Sequence, residues 1–174
     1  VNLWFFPGGH VVHYPAGPLQ ALNMVAVTPS GALPATFFAQ AAPALRDILH
    51  AARGDFTAWP GLYVEPLKRW SSGHVMLLGD AAHGPLPYLA QGAAMALEDA
   101  ATLHHALSGG ATLQTSMEET EGLRRARTTS VHIASLRAGR DYHHSHIMRL
   151  TRNLVVRAMP DGFLNQRTAW MYNG

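Results

Sequence analysis

The spacing of apolar positions changes several times along the chain. Over residues 1–28 short apolar runs (Leu3, Trp4, Phe5 and Phe6; Val11 and Val12; Leu22, Met24, Val25 and Val27) are separated by the turn signals Pro7-Gly8-Gly9 and Ala16-Gly17-Pro18. This pattern predicts antiparallel sheet. Residues 34–53 switch to helical spacing, with Pro43 suited to a first helical position and Leu45, Ile48, Leu49 and Ala52 on one face. A short strand is expected at 62–64. After the turn signal Ser71-Ser72-Gly73, residues 75–78 (Val-Met-Leu-Leu) form an unbroken apolar run, the pattern of a strand covered on both faces. Residues 90–107 predict a helix rich in alanine, small enough to let neighbouring backbones approach, and Gly109-Gly110 stops it. A second long helix is expected from 118 to about 146, then a shorter helix and a tail over 151–174. No internal repeat, low-complexity tract or linker interrupts this order.

Composition narrows the class. A chain of 174 residues with 48% apolar content can bury one core, as one domain or two partial ones. Cysteine is absent, which removes disulfides, thiol catalysis and thiolate metal sites. Charged residues make up 14%, low for a free-standing domain and suited to surfaces that other parts cover. No apolar run reaches the roughly 18 residues of a membrane span and no signal-peptide pattern is present, so no membrane partner is expected and the cytoplasm is the expected location. The pI near 9.3 raises nucleic acid, but the net charge is only +2 and the basic residues concentrate at 124–157, interleaved with Leu, Val, Ile and Met. A basic amphipathic surface helix accounts for them without a nucleic-acid partner.

The chemistry concentrates after the apolar run. Gly79-Asp80 stands at its carboxyl end, the edge where ligands bind in open α/β sheets, and an Asp there can accept hydrogen bonds from sugar or polyol hydroxyls. The plainer alternative is that Asp80 caps the next turn of the chain. Pro85 and Pro87 stiffen the loop beyond it. Gln91-Gly92-Ala93-Ala94 opens a helix whose first N–H groups and positive dipole end can stabilise negative charge. Gln91 either orients a ligand or caps that helix. Glu98 and Asp99 fall mid-helix and are expected to pair with Arg124 or Arg127.

This order of features, Gly79-Asp80-Ala81-Ala82-His83, then Pro87, Gln91-Gly92-Ala93-Ala94 and Glu98-Asp99-Ala100, resembles the second flavin motif of the single-component FAD-dependent aromatic hydroxylases (group A flavoprotein monooxygenases). The nearest likeness is to the salicylate, 3-hydroxybenzoate and 6-hydroxynicotinate monooxygenases. Glu121, Arg124, Arg127, Ser135 and the closing Trp170-Met171-Tyr172 resemble the helices and tail beyond the motif in that family. His10-Val-Val-His-Tyr14-Pro15 with the apolar run 22–27 resembles its substrate-domain hairpin. The resemblance implies an α/β fold with an α+β substrate-domain part: an antiparallel sheet, then the strand, loop and helix of the Gly-Asp motif, then carboxyl-terminal helices. It divides the chain into 1–68 as part of a substrate-binding domain, 69–110 as a flavin-contacting segment and 111–174 as a helical region and tail. No G-x-G-x-x-G follows a predicted strand, so the ADP half of a FAD site is not encoded here, and the chain reads as a carboxyl-terminal fragment.

The implied cofactor is FAD, held by Gly79, Asp80, Gly92, Ala93 and Ala94, with NADH or NADPH as reductant, molecular oxygen as co-substrate and a small aromatic acid as substrate lined by Pro87. The implied reaction is hydroxylation through a C4a-hydroperoxyflavin; a homodimer is left open. His10 and Tyr14 are the candidate catalytic pair. Hydroxylation needs an electron-rich ring, and a His can take the phenolic proton near neutral pH. Residues four apart on a strand share a face, with His13 on the other. Both residues could equally be plain sheet side chains. Among the eleven histidines only His143 and His146 have helical ligand spacing, with Asp141 the one carboxylate nearby, so no metal site is expected. Two alternatives remain open: another FAD-dependent oxidoreductase of the same fold (epoxidase, halogenase or reductase), and a folded module without flavin.

Overall fold

The computed structural model describes residues 1–6, 9–17, 21–28, 41–52, 56–160 and 162–172. The sheet turns at Pro7-Gly8 and Pro18, the start of the expected helix at 34–40 and the last two residues of the tail lie outside them. The chain groups into two compact units, Val1–Gly61 with Arg140–Met159 and Leu62–Gly139 with Pro160–Gly174.

In the first unit β1 (Asn2–Phe6), β2 (Gly9–Ala16) and β3 (Ala21–Val27) form an antiparallel sheet in that order, as the sequence predicts. The register sets Phe5 opposite His10 and His10 opposite Val27. Alternation along β2 then divides the chemistry between two faces. Val11 and His13 point to one face. There Val11 joins Phe6, Ala41, Leu45 and Leu49 in a core flanked by Trp4, Met24, Ala26 and Phe56. Helix α1 (Pro43–Ala51) supplies Leu45 and Leu49, and its Pro stands at the predicted first position. Complete burial of Val11 and Leu45 contributes about 1.5–3 kcal/mol each. His13 is buried against the Trp4 ring, centroids 6.0 Å apart. On the other face Phe5 meets Tyr142 at 5.1 Å between centroids, and the Arg152 guanidinium lies 4.4 Å over its ring.

The second unit begins with an extended segment. The strand expected at 62–64 is not formed; Val64 instead donates one backbone bond to the Gly84 carbonyl at 2.9 Å. The covered strand expected at 75–78 is also different. Strand β4 (Ser71–Ser72) and β5 (Val75–Met76) make a small antiparallel hairpin closed by Gly73 and His74, with Val75 66% exposed. The apolar run has the composition for burial, but among the described residues no neighbouring strand covers it. Next come helix α2 (Asp80–His83), a 3-10 turn (Pro87–Leu89) and α3 (Gly92–Ser108), which ends at Gly109 as expected.

Helix α4 spans Leu113–Tyr142, starting earlier and ending sooner than the sequence suggests. At its end Arg152 donates to the Asp141 and Tyr142 carbonyls at 3.3 and 2.7 Å, satisfying acceptors that the helix terminus leaves without an intrahelical partner. Helix α5 (His146–Ala158) belongs to the first unit and buries no residue; Ile147, Met148, Leu150 and Leu154 are all exposed. The solvated basic face expected at 124–157 is confined to part of this range, since Arg124 is buried and Arg127 half-buried in ion pairs. Helix α6 (Phe163–Thr168) and a 3-10 turn (Ala169–Met171) close the described chain. No helix among the described residues is long and apolar enough to cross a membrane.

Candidate functional site

The Gly79-Asp80 turn is held from beneath by one carboxylate. Gly79 has φ +56°, a left-handed conformation that favours glycine, and a Cβ there would lie 3.1 Å from the Ala96 Cβ. Its N–H donates to Asp99 Oδ2 at 3.0 Å. Asp99 is fully buried on α3 and accepts two more bonds, from His83 Nε2 at 2.6 Å and from Arg124 Nε at 2.9 Å. Burial pushes its carboxyl up, but the bonds from His83, Arg124 and Gly79 outweigh that and hold it below the usual carboxylate range. The pairing then continues outward. Arg124 Nη2 lies 2.6 Å from Glu98 Oε2, and Arg127 grips Glu98 with Nε and Nη2 at 2.6 and 2.7 Å. Arg127 also donates to the Trp170 and Met171 carbonyls at 3.2 and 2.8 Å. The bonds from Arg127, with those from Arg124, lower the Glu98 carboxyl despite its partial burial. The expected pairing of Glu98 and Asp99 with Arg124 and Arg127 is therefore present.

Asp80 itself is the first residue of α2. Gly79 is the N-cap and no side chain bonds there, so the alternative of Asp80 as a cap is not realised and its carboxylate is exposed. Gln91 occupies the N-cap of α3, buried, again without a side-chain cap bond. The first helical bond of α3 runs from Met95 N to Gln91 O at 2.9 Å, so the N–H groups of Gly92, Ala93 and Ala94 have no acceptor within the helix. A Cβ on Gly92 would lie 3.5 Å from Asp80 Oδ1, which puts the carboxylate beside those donors. The loop between them is fixed by α4: Ser135 Oγ donates to the Leu86 carbonyl at 2.6 Å, and Tyr88 packs against Gly139. Pro87 opens the 3-10 turn and is exposed.

His10 and Tyr14 share one face of β2, as their spacing predicts, in different surroundings. His10 is 2% exposed and Tyr14 37%. His10 Nδ1 is 2.9 Å from His143 Nε2, and the Tyr142 ring meets it edge-on at 5.2 Å. Burial, with the neighbouring His143, lowers the His10 pKa from 6.5 to about 4. His143 and His146 do not share a helical face, because α4 ends at Tyr142 and His146 opens α5. Among the described residues no three His, Asp or Glu side chains converge as a metal site would require.

Sequence reasoning missed three contacts. Asp99 is legible as an ion-pair partner but not as the acceptor that fixes Gly79, and His83, which the sequence suggests as a structural loop-fixing donor, has Asp99 as an acceptor that no local pattern names. His143 lies 133 residues from His10, and no local pattern links them.

Comparison with known proteins bears on the same segment. The FAD binding domain family matches residues 48–140, just over half of the chain. The 3-hydroxybenzoate 6-hydroxylase of Polaromonas naphthalenivorans (strain CJ2) is 31% identical over 185 residues, covering 98% of this chain and 46% of that protein. The 3-amino-4-hydroxybenzoate 2-monooxygenase of Streptomyces cremeus is 36% identical over 185 residues, covering 99% and 45%. The crystal structure of Klebsiella pneumoniae HpxO complexed with FAD and uric acid superposes with a TM-score of 0.82 at 22% identity, over 99% of this chain and 48% of that one, a likeness of fold. The chain spans about half the length of the curated relatives it matches. With the Gly-Asp turn, its glycine-led helix and the family match all falling on one segment, the chain belongs to the FAD binding domain family.

Proposed function

We propose that this chain is the carboxyl-terminal part of a FAD-dependent monooxygenase that hydroxylates a hydroxylated aromatic acid with NADH or NADPH and molecular oxygen. The observation that carries the reading is an exposed carboxylate, Asp80, standing beside the three uncapped N–H groups that open α3. An acceptor and a set of donors side by side fit a ligand that offers hydroxyls next to an electron-rich carbonyl, as the ribityl chain and ring of a flavin do. The remaining surroundings agree with that fit, since the turn is fixed by a buried network that leaves Asp80 itself unengaged. Gly79 and Asp80 would hold the ribityl chain, and Gly92, Ala93 and Ala94 the ring edge. In this reading residues 1–68 contribute to substrate binding, 69–110 to flavin contact and 111–174 to the helical support. Bound flavin would supply the oxygen-transfer chemistry.

The chain's own residues would do the positioning and the proton transfer. His10 would take the phenolic proton of the substrate, raising electron density on the ring, and Tyr14, further along the same face of β2, would orient the substrate hydroxyl. Pro87 would be a substrate-lining residue, on a loop whose Leu86 carbonyl accepts from Ser135 Oγ. The test is the FAD dissociation constant of the intact enzyme carrying Asp80→Ala. Loss of hydrogen bonds to a charged group, about 1.5–3 kcal/mol, weakens retention roughly 10- to 150-fold. Unchanged FAD affinity in a folded variant would remove Asp80 from the site.

A further inference from the structure

Charge pairing in the second unit runs unbroken from the 3-10 turn at Ala169–Met171 to the Gly79-Asp80 turn. The 3-10 turn closes on a bond from Tyr172 N to Ala169 O at 2.9 Å, and its Met171 is buried. Arg127 donates to the Trp170 and Met171 carbonyls and grips Glu98 through Nε and Nη2. Glu98 Oε2 is shared, since Arg127 Nε and Arg124 Nη2 both lie 2.6 Å from it. Arg124 is divided in turn. Its Nε donates to Asp99 Oδ1 at 2.9 Å, whereas Nη2 faces Glu98 without hydrogen-bond alignment. Asp99 carries the link to its other end through Oδ2, which accepts from the Gly79 N–H and from His83 Nε2.

Glu98 is the point of balance in this chain of contacts. With Arg127 seated on the turn, two guanidiniums share one Glu98 oxygen and Arg124 keeps its aligned bond for Asp99. Release of the turn takes two acceptors from Arg127, returns rotamer freedom to its side chain and leaves its pair with Glu98 as a screened surface contact. Glu98 then has Arg124 as its close cation and draws it outward. That weakens the hold on Asp99, the acceptor that fixes the Gly79 N–H. Asp99 is fully buried and Arg124 nearly so, where solvent screens little of the change.

Resting on the reading of Gly79 and Asp80 as flavin contacts, we infer that Arg127 and Glu98 are positioning residues that couple docking of the Ala169–Met171 turn to retention of FAD. The two-state element is the turn, docked or released, and the docked state holds Gly79 and Asp80 in the conformation a flavin meets. Such coupling is reciprocal: the docked turn tightens FAD binding, and bound FAD tightens the turn by the same factor. The bonds between Arg127 and Glu98 hold the Glu98 carboxyl below the usual range and the Arg127 guanidinium above it. Both stay charged near neutral pH, so the link operates without a change of protonation.

The test is equilibrium titration of the intact apo-protein with FAD. Deleting Trp170 and all that follows it, and separately Arg127→Met, should each raise the FAD dissociation constant about 5- to 50-fold. Together they should do no more than the larger change alone, because both cut one link, whereas independent losses multiply. Arg127→Lys, which keeps a charge on Glu98 without the fork, should fall between the parent and Arg127→Met. The reciprocal arm needs no variant to fold differently from the parent. Trypsin cleavage at exposed Arg167, followed by mass spectrometry of the released peptide, should slow several-fold when the parent binds FAD, and Arg127→Met should lose that protection. Parental FAD affinity in a folded Arg127→Met protein, or cleavage at Arg167 that FAD leaves unchanged in the parent, would overturn the inference. Failure of the flavin reading looks different: the parent would bind no FAD, or Asp80→Ala would bind it as the parent does, and the coupling would fall with it.

Discussion

Replacing Asp99 with Asn tests the network that shapes the Gly-Asp turn. The change keeps the size of the side chain, removes its charge and places an amide donor among three groups that all donate: the Gly79 N–H, His83 Nε2 and Arg124 Nε. Breaking a buried ion pair by removing one partner costs about 3–5 kcal/mol, mainly because the remaining charge is left uncompensated. Arg124 retains Glu98 at 2.6 Å, which places the expected loss near the lower end, about 3 kcal/mol. For a chain of this size each kcal/mol moves the melting temperature by about 2–4 °C, so Tm should fall by roughly 6–12 °C. Urea unfolding should show a lower midpoint with an unchanged slope, since the surface exposed on unfolding is the same. Adding Arg124→Met removes the stranded charge, so the double variant should be less destabilised than the two single losses combined. A loss below about 1 kcal/mol, or strict additivity with Arg124→Met, would refute the claim that this pair anchors the turn.

Acid should weaken the fold in two windows. Folded His10 releases its proton at about 4, against about 6.5 unfolded, so the unfolded chain takes up the proton first and stability falls as pH drops from about 6.5 toward about 4. At about 1.4 kcal/mol per tenfold change in proton affinity the full loss is about 3 kcal/mol, and His10→Leu should flatten that limb in pH-dependent urea titrations. Asp99 and Glu98, both held below the usual carboxylate range, contribute stability that is lost only as pH falls further, below about 4; Asp99→Asn should shrink that second limb. Gly139→Ala drives a methyl into the Tyr88 ring and should cost about 1–3 kcal/mol by calorimetry, with Tyr88→Ala in the same background recovering part of it.

The parts of this fold that local pattern dictates were readable from sequence. Apolar runs set between turn signals mark the sheet, period-two spacing places His10 and His13 on opposite faces, Pro43 marks the start of α1, and Gly109 marks the end of α3. The mid-helix acids Glu98 and Asp99 pointed to the arginines of α4 because buried charges need partners. Where partners came from afar, reading failed. The apolar run at 75–78 specifies burial but not what does the burying, and β5 is short and exposed. Helix α4 ends at Tyr142, whose carbonyl accepts from Arg152, and no residue beside the terminus signals that partner. The pairing of His10 with His143 is likewise a product of tertiary packing.

Isotope labelling tests the central claim most directly. The intact protein, loaded with FAD and supplied with NADH and ¹⁸O₂, is given 3-hydroxybenzoate, salicylate and 6-hydroxynicotinate in turn, and products are weighed by mass spectrometry. A monooxygenase that hydroxylates the ring places one ¹⁸O atom in the product for each NADH consumed in coupled turnover. NADH oxidation that yields only labelled hydrogen peroxide with every acid, or a hydroxylated product whose oxygen comes from water, would contradict it.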